Sequence, residues 1–229
     1  MPIVLIATTN PGKLREYAHL FEKVPGVRIV SPNDVEVWVE VAETGDTLAE
    51  NALLKARAMY QALSGSPESQ ALSAESVPED SALRAQGSGL PERAWWVLAD
   101  DSGLEVDALG GEPGVRSNRW AGPNTTAADR NRLLLERLAG VRDGERTARF
   151  RCVVALIDPQ GVEHLTEGVV EGRIAHEPAG TGGFGYDPIF ELPDGRRMSQ
   201  LSPDVKNLLS HRGIAGAKAA AIVSSHARR

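Results

Sequence analysis

The chain has 229 residues, and its composition is that of a globular protein with a mainly aliphatic core, since 41% of its residues are hydrophobic but only 5% are aromatic. No apolar run approaches the roughly 20 residues that a membrane-spanning helix requires, so we expect no membrane partner. The 31 acidic and 25 basic residues give a net charge of −6. This balance argues against nonspecific binding of nucleic acid, so we expect no nucleic-acid partner either.

The single cysteine, Cys152, lies within an apolar run. The sequence therefore offers neither an intrachain disulfide nor a cysteine-based zinc site, which is typical of a reducing compartment. The apolar run at 3–7 has no basic residues before it and is too short for the hydrophobic region of a signal peptide. We therefore expect a cytoplasmic protein.

The first quarter of the chain alternates between predicted strands and predicted helices. The strands are short apolar runs, and the first helix has apolar residues at three- and four-residue spacing. Thr47 and Glu50 have the capping-box spacing, in which a hydroxyl and a carboxylate satisfy free amides at a helix start. In chain order we predict a strand at 3–7, a helix from 13 to before Pro25, a strand at 27–30 and a helix from Thr47 to about 63.

Residues 64–94 interrupt this pattern. They include seven Ser, three Pro and three Gly, and they contain no Ile, Phe, Tyr or Trp that could anchor a core. We expect a flexible surface insertion within a single domain that spans 1–229.

The remainder of the chain adds a hairpin between further strands and helices. Because helices alternate with strands at both ends of the chain while a hairpin lies in the middle, the predicted fold class is α/β with a mixed sheet. The predicted elements are a strand at 95–99 that ends at Asp100, a helix from about 124 to 138, a central strand at 146–157, its hairpin partner at 162–170, a glycine-rich loop at 180–185 and a terminal helix at 216–223.

The adjacent acids Asp100 and Asp101 follow a predicted buried strand. In open α/β sheets, ligands bind at the carboxyl ends of strands, where an aspartate can hold Mg²⁺ or orient a water molecule. Neighbouring residues of a strand face opposite sides, so only one of the two carboxylates is expected to face a given ligand. An ordinary Asp-Ser-Gly turn is the alternative interpretation, and it leaves two carboxylates at a buried strand end uncompensated.

Two further segments carry groups that suit phosphate. At 8–13, a predicted strand-to-helix turn combines the amides of a helix start with the Lys13 ammonium, although it lacks the glycine spacing of a P-loop. On the next predicted helix, Asn51 and Lys55 are four residues apart and share one face. The alternatives are an ordinary Asn-Pro-Gly turn with a solvated lysine and a solvent-facing helix surface.

Two segments near the C-terminal end suit recognition of a flat, polar ligand. Glycines on both sides of Phe184 allow the backbone to approach a ligand closely, and the ring can stack on a base; a flexible loop with an aromatic anchor is the alternative. Lys206 and the run 210–213 form a compact group of donors. His211 has no Cys or His partner at metal-ligand spacing, and its neighbour Ser210 does not suit a serine hydrolase.

Together these segments resemble the inosine-triphosphate pyrophosphatase family. The matching blocks occur in the family's order and cover nearly the whole chain apart from 64–94. The resemblance implies a two-lobed α/β fold around a long mixed sheet with flanking helices, a homodimer, and Mg²⁺-dependent hydrolysis of ITP, dITP and XTP to the monophosphate and pyrophosphate. The blocks are 8–16, 43–45, 50–52 with 55–56, 99–104, 113–115, 182–190 and 210–213.

The resemblance also implies roles for individual residues. Asp101 matches the family's catalytic carboxylate and metal ligand, and Lys55 matches a phosphate-binding position that we include in the catalytic set. Family members often have a second metal-binding acid just before Glu-Thr-Gly; this position is Ala42, so Glu43 is the candidate in its place. The positions matching substrate-binding residues are Thr8, Thr9, Asn10, Pro11, Gly12 and Lys13 for the triphosphate, Ser102, and Phe184, Gly185, Tyr186, Asp187, Lys206, His211 and Arg212 for the base.

Given this resemblance, we expect the purine to be selected at its six-position. An oxygen there accepts a hydrogen bond from Arg212 or a backbone amide, whereas the amino group of adenine leaves the donor unpaired. Two alternatives remain: hydrolysis of modified pyrimidine triphosphates, and a nucleotide-sensing module without turnover. Asp101, Lys13 and Lys55 argue against the second, because a sensor does not require a metal-binding carboxylate at the phosphates.

Overall fold

The computed structural model describes residues 1–37, 39–64 and 95–226, which form an α/β fold with a mixed seven-stranded sheet and flanking helices. The predicted fold class is confirmed. The predicted insertion at 64–94 lies outside the described residues, except for Ser64 at the end of a helix. Within the described ranges, every helix is too short or too polar to cross a membrane.

The elements follow the alternation that the sequence predicts. In chain order the strands are β1 (Ile3–Ile6), β2 (Arg28–Val30), β3 (Trp95–Val106), β4 (Pro113–Gly114), β5 (Thr147–Ile157), β6 (Glu163–Ile174) and β7 (Phe190–Glu191). The α-helices are α1 (Pro11–Phe21), α2 (Leu48–Ser64), α3 (Ala127–Arg137), α4 (Pro203–Leu209) and α5 (His211–His226).

The sheet has the strand order β2-β1-β3-β5-β6-β7, with β4 paired to β3. Strand β1 runs parallel to both β2 and β3, whereas β4 is antiparallel to β3 and β7 is antiparallel to β6. Strands β5 and β6 are joined by a tight turn in which the Asp158 amide donates to the Val162 carbonyl at 3.0 Å. This hairpin is the one predicted around Pro159.

The chain divides into two compact units. Unit 1 comprises Met1–Asp100, Val154–Thr166 and Ala219–Arg229, and unit 2 comprises Asp101–Val153 and Glu167–Lys218.

The core of unit 1 contains buried residues of its strands and of helix α1. The helix residues are ones that the three- and four-residue apolar spacing predicts to be buried. Strand β1 is buried along its whole length, and Tyr17 and Phe21 of α1 are buried as well. The predicted capping box begins α2: the Glu50 amide donates to Oγ1 of Thr47 at 3.1 Å, and the Thr47 amide donates to the Glu50 carboxylate at 3.0 Å. Local sequence therefore determines where this helix starts.

Unit 2 has a hydrophobic core into which one arginine is inserted. The core combines residues of β3, α3, β5 and β6 with Phe190 and Met198. Arg146, only 2% exposed, donates hydrogen bonds to the carbonyls of Leu138, Ile174 and Ala175 at 2.7, 2.8 and 2.9 Å. Burial lowers the pKa of this guanidinium. Three chain segments are thus tied to one side chain.

Three predicted boundaries are wrong by four residues or more. Strand β6 ends at Ile174, four residues after its predicted end at 170. Strand β3 does not end at Asp100 but continues to Val106, because Leu104 and Val106 are buried in the core and Gly103 leaves room for β4. Helix α5 begins at His211, five residues before the predicted start at 216. Strands β4 and β7 and helix α4 were not predicted, since two-residue strands and a seven-residue helix have too few residues to show a period.

We expect the change Arg146→Met to lower the free energy of unfolding by about 3 kcal/mol, because it leaves three buried carbonyls without their donor. Urea denaturation followed by tryptophan fluorescence measures this loss. The control Arg142→Met changes an arginine whose side chain is 83% exposed, and it should leave the urea midpoint nearly unchanged. Equal effects of the two substitutions would contradict the role of Arg146.

Candidate active site

Asp100 and Asp101 lie in the middle of β3, not at its end, and both are buried, with exposures of 3% and 6%. The strand continues because Gly103 lies directly against β4. A Cβ atom at Gly103 would come within 2.3 Å of the Gly114 carbonyl oxygen. The two acids are therefore held by regular strand geometry on both sides, which fixes their positions more firmly than a turn would.

In unit 1, the predicted phosphate-binding residue Lys13 is paired with Asp100. Its Nζ lies 3.0 Å from a carboxylate oxygen of Asp100 and 3.5 Å from the Asp100 carbonyl oxygen, and both side chains are buried. An ion pair removed from water has a strong Coulomb attraction. A phosphate that binds Lys13 must share it with this carboxylate.

The helix start beside Lys13 does not present the free amides that the sequence predicts. Oδ1 of Asn10 accepts hydrogen bonds from the amides of Gly12 and Lys13 at 2.8 and 3.3 Å, and Oγ1 of Thr8 accepts one from the Asn10 amide at 3.2 Å. Asn10 is therefore an N-cap that already satisfies these donors. Thr9 and Pro11 are exposed.

A second pair of charges in unit 1 joins Lys55 to Glu43. Nζ of Lys55 lies 3.0 Å from Oε1 of Glu43, and both side chains are partly exposed. Asn51 holds the segment that carries Glu43: its buried side chain accepts a hydrogen bond from the Gly45 amide at 2.8 Å and donates one to the Gly45 carbonyl at 3.4 Å. The predicted face shared by Asn51 and Lys55 is thus a surface that positions a neighbouring loop.

Unit 2 brings the predicted base-recognition residues together around one aromatic ring. Phe184 is half-buried, and Nζ of Lys206 lies 4.7 Å from the centre of its ring. Asp187 organises this group, because its carboxylate accepts a hydrogen bond from the Phe184 amide at 2.8 Å and forms an ion pair with Lys206 at 2.7 Å. Asp187 is itself buried, so the loop and the lysine are fixed by one charged side chain.

Arg212 approaches the same ring from the start of α5. Its guanidinium carbon lies 5.3 Å from the centre of the Phe184 ring, and its Nη2 donates a hydrogen bond to Oγ of Ser102 at 2.9 Å. The side chain is only 1% exposed. Ser102, which follows Asp101 on β3, therefore helps to hold a buried donor beside the aromatic ring.

Tyr186 and His211 are packed into unit 2, where each contacts a neighbouring residue of the protein. The Tyr186 hydroxyl donates to the Ser117 carbonyl at 2.9 Å, and burial raises the pKa of this phenol to about 12. The His211 ring stacks on Phe150, with ring centres 4.7 Å apart and planes 11° from parallel. These contacts anchor the loop that contains Phe184 and the start of α5, which contains Arg212.

The acidic residues present suit a magnesium ion only if the substrate contributes ligands. In the part of the chain that the structure describes, no three His, Cys, Asp or Glu side chains are arranged to hold a metal ion. Mg²⁺ is usually bound by one or two carboxylates together with substrate phosphates, and the Asp101 carboxylate would fit that role. Glu43, the predicted second ligand, has its carboxylate against Lys55.

Comparison with known proteins gives the same grouping as the motifs. The Ham1 family matches residues 4–222. The chain belongs to the Ham1 family. It is 43% identical to the dITP/XTP pyrophosphatase of Geobacillus kaustophilus over 94% of this chain and 91% of that protein, and 45% identical to that of Symbiobacterium thermophilum, with the same coverage of both chains. The structure of a HAM1 protein from Coxiella burnetii superimposes with a TM-score of 0.74 at 35% identity, covering 98% of this chain and 100% of that one.

Family membership confirms the resemblance drawn from the motifs. The motif segments that carry this resemblance all lie among the residues that the structure describes. Two contributors to the site were not identified from the sequence: Asn131 on α3, whose amide donates to the Gly185 carbonyl, and the role of Asn51 as a clamp for Gly45. Asn131 acts on a backbone group 54 residues away, and Asn51 acts on one six residues away, across a helix start, so the periodicity of a single element signals neither contact.

We expect Asp187→Asn to destabilise the protein by about 3 kcal/mol, because it leaves the buried Lys206 ammonium without its carboxylate. Adding Lys206→Met should recover part of this loss, since the double variant buries no unpaired charge. A double-mutant cycle by urea denaturation measures the coupling. The control Asp194→Asn, at an exposed ion pair, should change little. Additive effects of the two core substitutions would contradict the pairing.

The raised pKa of Tyr186 predicts a loss of stability in alkaline solution. A tyrosine in an unfolded chain has a pKa of about 10, whereas burial raises the pKa of Tyr186 to about 12. The folded state holds the proton more tightly, so this contribution is present below the unfolded pKa and is lost as the pH rises through the folded one. Denaturation at a series of alkaline pH values should show a steeper decline for the natural chain than for Tyr186→Phe; equal slopes would contradict it.

Proposed function

We propose that this protein hydrolyses dITP, XTP and ITP to the nucleoside monophosphate and pyrophosphate, with Mg²⁺ as its cofactor. The observation that carries the proposal is the buried Arg212 held by Ser102 beside the half-buried ring of Phe184. Its relatives in Geobacillus kaustophilus and Symbiobacterium thermophilum are dITP/XTP pyrophosphatases, which supports the same activity here. The chain is then an enzyme that removes nonstandard purines from the nucleotide pool.

The residues of unit 2 provide the chemistry for the base. A purine stacks on the exposed part of the Phe184 ring, and the Arg212 guanidinium donates to the oxygen at the six-position. Arg212 cannot accept a hydrogen bond, so the amino group of adenine has no partner there. A buried neutral donor that loses its acceptor costs about 1–3 kcal/mol, and a charged donor such as Arg212 costs more. Since about 1.4 kcal/mol is tenfold, we expect at least tenfold selectivity.

The residues of unit 1 provide the chemistry for the phosphate chain. Lys13 and Lys55 contribute local positive charge in a protein whose net charge is −6. The hydroxyls of Thr8 and Thr9 add neutral donors. Because Asn10 caps α1, these side chains and not the helix amides are the main contacts that we assign to the phosphates.

Asp101 is the residue to which we assign proton transfer. Its carboxylate accepts a proton from a water molecule, whose oxygen forms a bond to the α-phosphorus. The bond from that phosphorus to the bridging oxygen breaks in line, and pyrophosphate leaves with the electron pair. The products are one monophosphate and one pyrophosphate.

Asp101 also fits as the protein ligand of Mg²⁺, with substrate phosphates as further ligands, whereas Glu43 remains a candidate second ligand. When bound, the ion neutralises charge on the phosphate oxygens. We further propose that the protein acts as a homodimer in the cytoplasm, the compartment that its one buried, unbridged cysteine suits.

A panel of six nucleotides tests the activity. Purified protein with Mg²⁺ is given ITP, dITP, XTP, ATP, GTP or dUTP, and pyrophosphate is separated from orthophosphate. We expect pyrophosphate from the first three at rates at least tenfold above those for ATP. Preference for dUTP would favour a pyrimidine pyrophosphatase, and absence of turnover on all six would favour a sensing module.

The role of Asp101 is tested by Asp101→Asn, which should lower kcat on dITP by at least about a hundredfold, because the amide cannot accept the proton. The matched control is Glu105→Gln, four residues further along β3, which alters an ion pair with Arg151 and should keep kcat within about threefold. Similar rates for both variants would show that Asp101 has been assigned wrongly.

A further inference from the structure

Asn131 lies on α3, outside every motif that points to the activity, yet it contacts the glycine-rich loop. Its Nδ2 donates a hydrogen bond to the Gly185 carbonyl at 3.2 Å. Gly185 directly follows Phe184, the ring on which we place the base. The side chain of Asn131 is buried, so this contact is shielded from competing water.

Among the described residues, the oxygen at the other end of the same amide has no hydrogen-bond partner. Oδ1 of Asn131 is buried and accepts no hydrogen bond from the residues that the structure describes. A buried acceptor without a donor lowers stability, so an apolar side chain of similar volume would serve the core better. The benefit of an asparagine at this position therefore lies in the carbonyl that its Nδ2 holds.

The loop needs such a contact at Gly185. This residue has a φ of 62°, in the left-handed region. Apart from its two chain neighbours, no atom of the described residues lies within 4 Å of the position that a Cβ would occupy. Packing does not restrain the loop on that side. Elsewhere the loop is restrained by the Asp187 carboxylate, which accepts from the Phe184 amide, and by the Tyr186 hydroxyl on Ser117.

We propose that Asn131 is a positioning residue that fixes the Phe184 loop in the orientation that binds the purine base. The inference rests on the proposed function, since it assigns the base to Phe184. A loop ordered before the substrate arrives does not lose freedom when it binds. Loss of Asn131 therefore weakens binding of the nucleotide, while the Asp101 step, once the substrate is bound, keeps its rate.

The variant Asn131→Leu removes both polar ends of the amide and keeps the number and branching of the side-chain heavy atoms. We expect the KM for dITP to rise about fivefold or more and kcat to stay within about twofold. We also expect the thermal midpoint of unfolding to hold or rise, because the unpaired acceptor is gone. An unchanged KM, or a KM that rises together with a falling midpoint, would overturn the proposal.

The matched control is Leu134→Val, three residues further along α3. Leu134 is buried in the core of unit 2. This substitution should lower the midpoint and leave the KM unchanged, which separates loss of packing from loss of position. If the control raises the KM as much as Asn131→Leu does, Asn131 has only a general structural role.

A second variant, Asn131→Asp, keeps the shape of the side chain but puts a carboxylate oxygen opposite the Gly185 carbonyl. We expect it to raise the KM at least as much as the leucine does. A KM equal to that of the natural chain would show that the hydrogen bond to Gly185 is not the relevant contact.

Amide hydrogen exchange, read by mass spectrometry without nucleotide, tests the positioning independently of activity. In Asn131→Leu, exchange in peptides covering Phe184 to Asp187 should become faster than in the natural chain. In Leu134→Val, exchange in these peptides should change no more than it does elsewhere in unit 2. Unchanged exchange in both would overturn the proposal. If the natural chain does not hydrolyse dITP, faster loop exchange still supports the role of Asn131 while the proposed function fails.

Discussion

Burial of two acidic residues in the middle of strand β3 is the constraint on which the functional residues depend. A carboxylate removed from water is stable only if cations or hydrogen-bond donors compensate it. For Asp100 the cation is Lys13, which thereby fixes the start of α1. The strand can carry these acids because Gly103 allows β4 to approach closely and complete regular pairing on one side. The same need for compensation places Lys206 on Asp187 in unit 2.

Most of the fold could be predicted because its main elements have strong local signals. The strand at β1, the capping box of α2 and the hairpin of β5 and β6 each depend on residues within a few positions of one another. The end of β3 was missed because Asp-Asp-Ser-Gly has the composition of a turn. What keeps the strand extended is the pairing of Leu104 with Gly114, ten residues away in the sequence. Local composition does not reveal pairing of this kind.

The candidate site was predicted as a set of residues, but their individual contacts were not. The resemblance to a family selected Phe184, Lys206 and Arg212, and the structure brings these three together in unit 2. The resemblance could not show that Asn10 caps α1 or that His211 stacks on Phe150; only the structure shows these contacts. Such contacts depend on side-chain geometry between distant segments, so residue type alone cannot separate a group that touches a ligand from one that supports it.

The ion pair between Lys13 and Asp100 also determines which anions unit 1 binds through this lysine. Any such anion competes with a carboxylate that belongs to the same unit and is therefore present at high effective concentration. A monovalent ion such as chloride gains too little from one ammonium group to displace it, whereas a polyphosphate presents several charges at once. An anion that displaces Asp100 from Lys13 must therefore carry several charges, whatever base is attached to it.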